Sequence, residues 1–262
     1  MTKTTQILVV NDDGYRAQGI KDLALALKQL GEVTIVAPDE SRSGASGAIT
    51  SSVPISLKER KNQIEGVHVY SSSGMPVDCV KLAMNALFKE RKPDLLVSGI
   101  NHGRNDGICV LYSGTLGAAM EGAIADVPSL AVSLNDFESH INTEYAIEYA
   151  VNVAKYLLQT PLPKHTLLSL NLPQGKPLGL KICPQTNGRF VKEYNSITSP
   201  KGSTYYWMSG WQETKEADIK ADVEYLNEGY ATLTPIQTNM TQWSFLDKLS
   251  DDKASFEMGL GS

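Results

Sequence analysis

The chain has 262 residues, 42% hydrophobic and 20% charged, which is ordinary globular material with enough apolar mass for a full core. Its net charge of -5 argues against a general binder of nucleic-acid backbones, which carries a basic surface, but leaves room for a small phosphorylated ligand held by a metal or by backbone amides. The three cysteines (Cys79, Cys109 and Cys183) are scattered and form no Cys-x-x-Cys pair, so neither a disulfide framework nor a zinc site is suggested. Free buried thiols in a reducing compartment are expected. The polar start Met1 to Gln6 precedes an apolar run too short for a signal-peptide core. The most apolar stretch, Leu116 to Leu134, is broken by Glu121, Asp126 and Pro128, so it is not a membrane span. The expectation is a soluble cytoplasmic protein that contacts neither a membrane nor a nucleic-acid polymer.

Ile7-Leu8-Val9-Val10 is four consecutive apolar residues, three of them β-branched, the pattern of a strand buried on both faces of a parallel sheet. It stops at Asn11-Asp12-Asp13-Gly14. In an open α/β sheet ligands sit beyond the carboxyl ends of the strands, which puts Asp12 and Asp13 where chemistry is usually done. Adjacent carboxylates repel, and one tends to keep its proton unless a cation lies between them. A hard divalent ion such as Mg²⁺ or Mn²⁺ answers that need with oxygen ligands. Asn11 can orient a carboxylate or donate to a ligand. The same four residues also serve ordinary turn chemistry.

Helical spacing of Ile20, Leu23, Ala24, Leu27 and Leu30 predicts a helix over 19–30, stopped by Gly31. Val33 to Ala37 completes a βαβ unit with a right-handed crossover. The loop Asp39 to Gly47, with Ser41, Arg42, Ser43 and Gly44, lands at the same sheet edge as Asp12 and suits either a metal-approaching or phosphate-cradling role, or a plain flexible loop. Ile49 to Leu57 and Val67 to Tyr70 read as strands of a side structure. A helix follows from Pro76 to about Phe88, with Pro76 in its first turn and Asp78 at the positive end of its dipole.

Asp94 to Ser98 is a third core strand, leading into the polar loop Gly99 to Gly107. Asn101 in that loop offers a neutral oxygen to a metal or an amide to a phosphate. Tyr112-Ser113-Gly114-Thr115 reads as a helix N-terminus, where free N–H groups form an anion site and Ser113 is a fair N-cap. A fourth strand is expected over Val127 to Val132, a helix over Thr143 to Leu158 and a strand over Leu167 to Leu172. Beyond Gly188 the composition turns aromatic. Tyr205 to Met208 and Gly229 to Pro235 read as β segments of an arm with no obvious place in a doubly wound core, separated by the charged run Glu213 to Asp222. Aromatic side chains favour interfaces, so the arm is expected to reach a partner. Thr241 to Leu249 closes as a short helix.

Jointly these loops resemble the stationary-phase survival protein (SurE) family of metal-dependent nucleotidases. The resemblance rests on Asn11-Asp12-Asp13-Gly14, on Ala37-Pro38-Asp39 with Arg42-Ser43, and on Gly74-x-Pro76-x-Asp78-Cys79-Val80. It continues through Ser98-Gly99-Ile100-Asn101-x-Gly103-x-Asn105 and Ser113-Gly114-Thr115 with Glu121-Gly122. The late Tyr205-Tyr206-Trp207 and Gly229-Tyr230-x-Thr232-x-Thr234-Pro235 fit the family's tail. The ordered set is specific although each piece is weak alone. Gly107-Ile108-Cys109 stands where many members carry other residues, a departure that bears on fine specificity.

The resemblance implies an α/β fold: a Rossmann-like three-layer α/β/α core with a mostly parallel sheet over 1–188, and a C-terminal arm of β-hairpin and helix over 189–262 exchanged between subunits of a dimer or tetramer. It implies one divalent ion per subunit, Mg²⁺ or Mn²⁺, on Asp12, Asp13, Ser43 and Asn101, with phosphate at Ser113, Gly114 and Thr115; the residues themselves add Asn11, Gly44, Asn101 and Asn105 as phosphate or substrate contacts. The implied reaction is hydrolysis of nucleoside 5′-monophosphates and 3′-monophosphates, extending to other phosphoesters and short polyphosphate. In it Asp12 or Asp13 orients or deprotonates the attacking water. No Gly-x-Gly-x-x-Gly follows the first strand and no P-loop sequence occurs, so dinucleotide and P-loop chemistry lack support. The remaining alternatives are a phosphatase working through an aspartyl-phosphate, a cation-dependent nucleoside hydrolase and a non-catalytic nucleotide-binding protein. The four histidines are dispersed, and none is assigned as a ligand.

Overall fold

A computed structural model describes residues 4–138, 142–214 and 219–252. Its first half runs β1 (Gln6–Val10), α1 (Gln18–Leu27), β2 (Glu32–Pro38), β3 (Leu57–Glu59), β4 (Val67–Ser72), α2 (Pro76–Leu82), β5 (Leu95–His102) and α3 (Gly114–Ile124). Then come β6 (Ser129–Leu134), α4 (Glu144–Gln159), β7 (Thr166–Leu172), β8 (Leu180–Ile182), β9 (Gly188–Val191) and β10 (Tyr194–Thr198). The chain closes with β11 (Thr204–Met208), β12 (Trp211–Thr214), α5 (Asp222–Asn227), β13 (Ala231–Gln237) and α6 (Trp243–Asp251).

Nine strands form one sheet in the order β3-β4-β2-β1-β5-β6-β7-β13-β8. The six from β4 to β7 are parallel to one another. Their order is that of a doubly wound α/β fold, and the winding reverses between β1 and β5. That reversal opens a crevice at the carboxyl ends of those two strands, where Asp12 and Asn101 lie.

The β1 run shows why both faces are covered. Ile7 and Val9 enter one apolar cluster with α1 and α4, whereas Leu8 and Val10 enter a second with α2 and α3. All four are fully buried. Alternation along the strand carries Asp12 on to the side of Leu8 and Val10, toward α3. Helix α3 begins as expected, with Ser113 Oγ accepting from Leu116 N at 3.2 Å. Helix α2 starts at Pro76, and Asp78 accepts from Met75 N at 2.9 Å. Beyond Leu82 it widens into a π-helical turn, Ala83–Leu87.

Three expectations need correction. Val67–Ser72 is no side structure but an inner strand of the main sheet, parallel to β2. Of Ile49 to Leu57 only the last residue enters a strand, the short edge β3; Ile49 and Val53 lie exposed, and Pro54 has no N–H for a ladder. Ala231–Gln237 belongs to the core sheet, antiparallel to β7, instead of the arm. What does leave the sheet is the ribbon β9–β12, the hairpin β10–β11 with every residue exposed, and α6 with no buried residue.

Leu116 is fully buried beneath the turn that opens α3, whereas Leu25 on α1 is 50% exposed. Urea unfolding is expected to show Leu116→Ala less stable by about 2–5 kcal/mol. Leu25→Ala is expected within about 0.5 kcal/mol of the parent.

Candidate active site

Four segments meet over the carboxyl ends of β1 and β5. The first is the turn after β1. Asn11 shapes it from within: its Nδ2 donates to Gly14 O and its Oδ1 accepts from Gly14 N, both at 3.1 Å. The amide expected to face a ligand is thus engaged in fixing the turn. Gly14 sits at φ +95, and a Cβ there would stand 3.3 Å from Pro38 O, so the turn needs glycine on both counts.

The second segment is the loop after β2, tied to the first by Arg42 N donating to Asp12 O at 2.7 Å. This puts Ser43 one residue from a direct bond to Asp12, with its Oγ 3.1 Å from Ser41 Oγ. Gly44 is exposed, with open space on its Cβ side. The same loop anchors to the third segment, the approach to α3: Ser46 N donates to Tyr112 O at 3.1 Å and Ser46 Oγ to Leu111 O at 2.6 Å.

At the start of α3, Thr115 Oγ1 donates to Asp12 Oδ1 at 2.5 Å. A Cβ on Gly114 would lie 2.9 Å from Asp12 Cβ, so only glycine lets the helix N-terminus come this close to the carboxylate. The fourth segment is the loop from β5. His102 N faces Asp13 Oδ2 at 3.4 Å, and Asn101 Nδ2 donates to Gly103 O at 2.9 Å, which turns its Oδ1 the other way. Asn105 is buried in the framework: its N–H donates to Asn171 Oδ1 at 2.8 Å and its Nδ2 to Ser133 Oγ at 2.9 Å.

Electrostatically this is a costly place. Asp12 is 3% exposed, and burial together with the charge of Asp13 pushes its carboxyl up to about 6 despite the Thr115 hydrogen bond. Burial raises Asp13 as well, against the pull of His102. Among the described residues no lysine or arginine forms an ion pair with either carboxylate. The donors on offer are two carboxylates, a hydroxyl and an amide oxygen. No cluster of three or more His, Cys, Asp or Glu suited to a metal occurs among the described residues. Such an all-oxygen set fits a hard divalent cation that keeps several waters, and does not fit zinc.

Sequence reading missed the groups that hold the β5 loop from behind. Asp222 accepts from Gly107 N at 3.0 Å and from Thr186 N at 2.8 Å. Gln212 accepts from Ile108 N at 3.1 Å and donates to Asp106 O at 3.2 Å. Gln185 donates to Gly107 O at 2.7 Å, and Arg104 pairs with Asp106 and reaches Asn227 Oδ1 at 2.7 Å. Gln212 and Asp222 lie about a hundred residues from their targets, and nothing local in the sequence marks them.

A doubly wound α/β domain with paired acidic residues and a helix N-terminus in its switch-point crevice is the frame of a hydrolase acting on an anionic substrate. The comparisons narrow this. The chain belongs to the SurE family: the sequence pattern of "Survival protein SurE" matches residues 7–192. A Porphyromonas gingivalis protein named 5′-nucleotidase SurE is 58% identical over 246 residues, covering 94% of this chain and 95% of that one. A protein of the same name from Christiangramia forsetii is 39% identical, over 95% and 96% of the two chains. The crystal structure of the SurE protein from Aquifex aeolicus superposes with a TM-score of 0.80 at 33% identity, covering 95% of this chain and 99% of that one.

A buried carboxylate without a cationic partner costs stability, so Asp12→Asn is expected to stabilise the fold when divalent cations are removed. Denaturation in a chelator at neutral pH checks this. A less stable variant would show that the carboxylate is already compensated.

Proposed function

We propose that the chain is a 5′-nucleotidase: a divalent-cation-dependent phosphomonoesterase that releases phosphate from nucleoside 5′-monophosphates. We extend the reading to nucleoside 3′-monophosphates and short polyphosphate. The observation that carries it is the juxtaposition of Asp12, beside Asp13, with the N-terminus of α3, sealed by the Thr115 hydroxyl and the absent side chain of Gly114. Asp12, Asp13, Ser43 and Asn101 would hold the ion, Mg²⁺ or Mn²⁺. When bound, such an ion supplies Lewis-acid polarisation of the phosphoryl group and lowers the pKa of water.

The chain's own residues do the rest. The N–H groups of Gly114 and Thr115 receive the equatorial phosphoryl oxygens as charge shifts onto them, while Ser113, whose own N–H donates to Cys109 O at 3.1 Å, caps the helix through its hydroxyl. Thr115 holds Asp12 in one orientation. Asp12 or Asp13 positions the attacking water and takes its proton, within reach of the same phosphorus. Asn11 and Asn105 serve by fixing the loops that carry these groups.

A metal and substrate screen tests the reading. Phosphate release from nucleoside monophosphates is expected with Mg²⁺ or Mn²⁺ and not with chelator. Asp12→Ala and Asp13→Asn are each expected to abolish it while the circular dichroism spectrum stays that of the parent. Retained turnover in either variant would defeat the assigned roles, release of free base would favour a nucleoside hydrolase, and a trapped phosphoenzyme would favour an aspartyl-phosphate path.

We further propose that the chain works as a homo-oligomer. Tyr205, Tyr206, Trp207 and Met208 on β11 are each more than 60% exposed, and Trp243 and Phe245 on α6 more than 50%. An isolated two-stranded hairpin is marginally stable in water, so this one gains its order by docking on a second copy. No helix among the described residues is long and apolar enough to cross a membrane. The double variant Tyr206→Glu, Trp207→Glu is expected to sediment as a smaller species than the parent.

A further inference from the structure

We infer that Tyr112 is a stacking platform for the nucleobase, and that Phe190 on the β9–β12 ribbon sets its angle. This rests on the nucleotidase reading and deepens it by naming what recognises the non-reacting half of the substrate.

Tyr112 immediately precedes Ser113, the cap of the helix whose N-terminus is assigned to phosphate. One residue, Ser113, separates it from Gly114, a Cα span of at most about 7 Å, comparable to the ribose that separates phosphate from base. The residue is 56% exposed, yet its backbone is held at both its N–H and its carbonyl. Tyr112 N donates to Cys109 O at 3.0 Å, and its carbonyl accepts from Ser46 N at 3.1 Å. The Phe190 ring lies 6.5 Å away, tilted by 50°. Phe190 pairs across the ribbon with Gln212, which is locked into Asp106 and Ile108 on the same approach to α3. An exposed aromatic fixed in this way gives up little conformational entropy when a flat ligand covers its free face.

A stacking surface reads the face of a base and not its edge, so it accepts any nucleobase and rejects a phosphomonoester that has none. The class of ligand is therefore a heteroaromatic ring joined to a phosphorylated sugar, with weak preference among bases.

The experiment compares kcat/KM for adenosine 5′-monophosphate and for ribose 5-phosphate under one divalent cation. The parent is expected to favour the nucleotide. In Tyr112→Ala that preference is expected to fall by about tenfold or more, mostly through KM for the nucleotide, as for loss of one base–aromatic stack. Tyr112→Phe keeps the ring and is expected to keep the preference. A ratio unchanged in Tyr112→Ala, or a fall as large in Tyr112→Phe, would overturn the platform while leaving the nucleotidase reading intact. A parent that released phosphate from neither substrate would overturn both.

Discussion

The contact between Asp12 and the first turn of α3 is the constraint on which the rest of this structure depends. Effective desolvation of a buried ion costs several kcal/mol, and a second carboxylate next door adds to it. Two features offset part of that cost: the Thr115 hydroxyl at 2.5 Å, and the helix N-terminus brought within reach by the bare Cα of Gly114. A helix N-terminus favours an anion by up to about 2 kcal/mol in a partly buried setting, so the offset is incomplete. The residual strain shows as an Asp12 carboxyl lifted to about 6. Evolution tolerates such a deficit where a ligand removes it, and the same amides that steady Asp12 are those a phosphate would seek.

How the fold delivers this contact follows from sheet topology. The crevice lies where the winding reverses, so β1 and β5 are neighbours whose following loops diverge to opposite faces. The β1 turn sends Asp12 toward α3, and the β5 loop brings His102 N to Asp13. The loop after β2 is then drawn over the top by hydrogen bonds to Asp12 O and Tyr112 O. Arg42, the residue before Ser43, is bonded to the Asp12 turn, and Ser43 itself is exposed.

Much of this was legible in the sequence, for a physical reason: parallel strands buried on both faces are unbroken apolar runs, and Ile7 to Val10, Leu95 to Val97 and Leu167 to Leu168 are such runs. The misread segments are those whose surroundings are not local. Val67 to Tyr70 alternates because its outer neighbour is only the three-residue β3, so its pattern is that of a half-covered strand and reads as a side structure. Ala231–Gln237 pairs with a strand some sixty residues earlier, and the exposed hairpin between them hid the connection. Within the site, the acidic pair and the Ser-Gly-Thr turn were visible as residue types. The division of labour among the asparagines was not, because Asn11 and Asn105 have side chains as suited to a ligand as to the Gly14 backbone and the Ser133 hydroxyl that in fact claim them.

The ribbon shows a further limit of local reading. Gln212 and Asp222 satisfy the backbone of Asp106, Gly107 and Ile108 from about a hundred residues away. Without them the amides of Gly107 and Ile108 would lose these partners, at about 1–3 kcal/mol each, while Asp106 O would keep only its bond from Cys109 N at 3.0 Å. The loop running from Asn101 to Ser113 therefore owes its shape to the C-terminal third of the chain as much as to the sheet that launches it. The ribbon carries the exposed β10–β11 hairpin on one side and contacts the approach to α3 on the other, through Gln212 and Phe190. The bonds Gln212 to Ile108 and Cys109 to Tyr112 and Ser113, each about 3 Å long, join the ribbon to the start of α3.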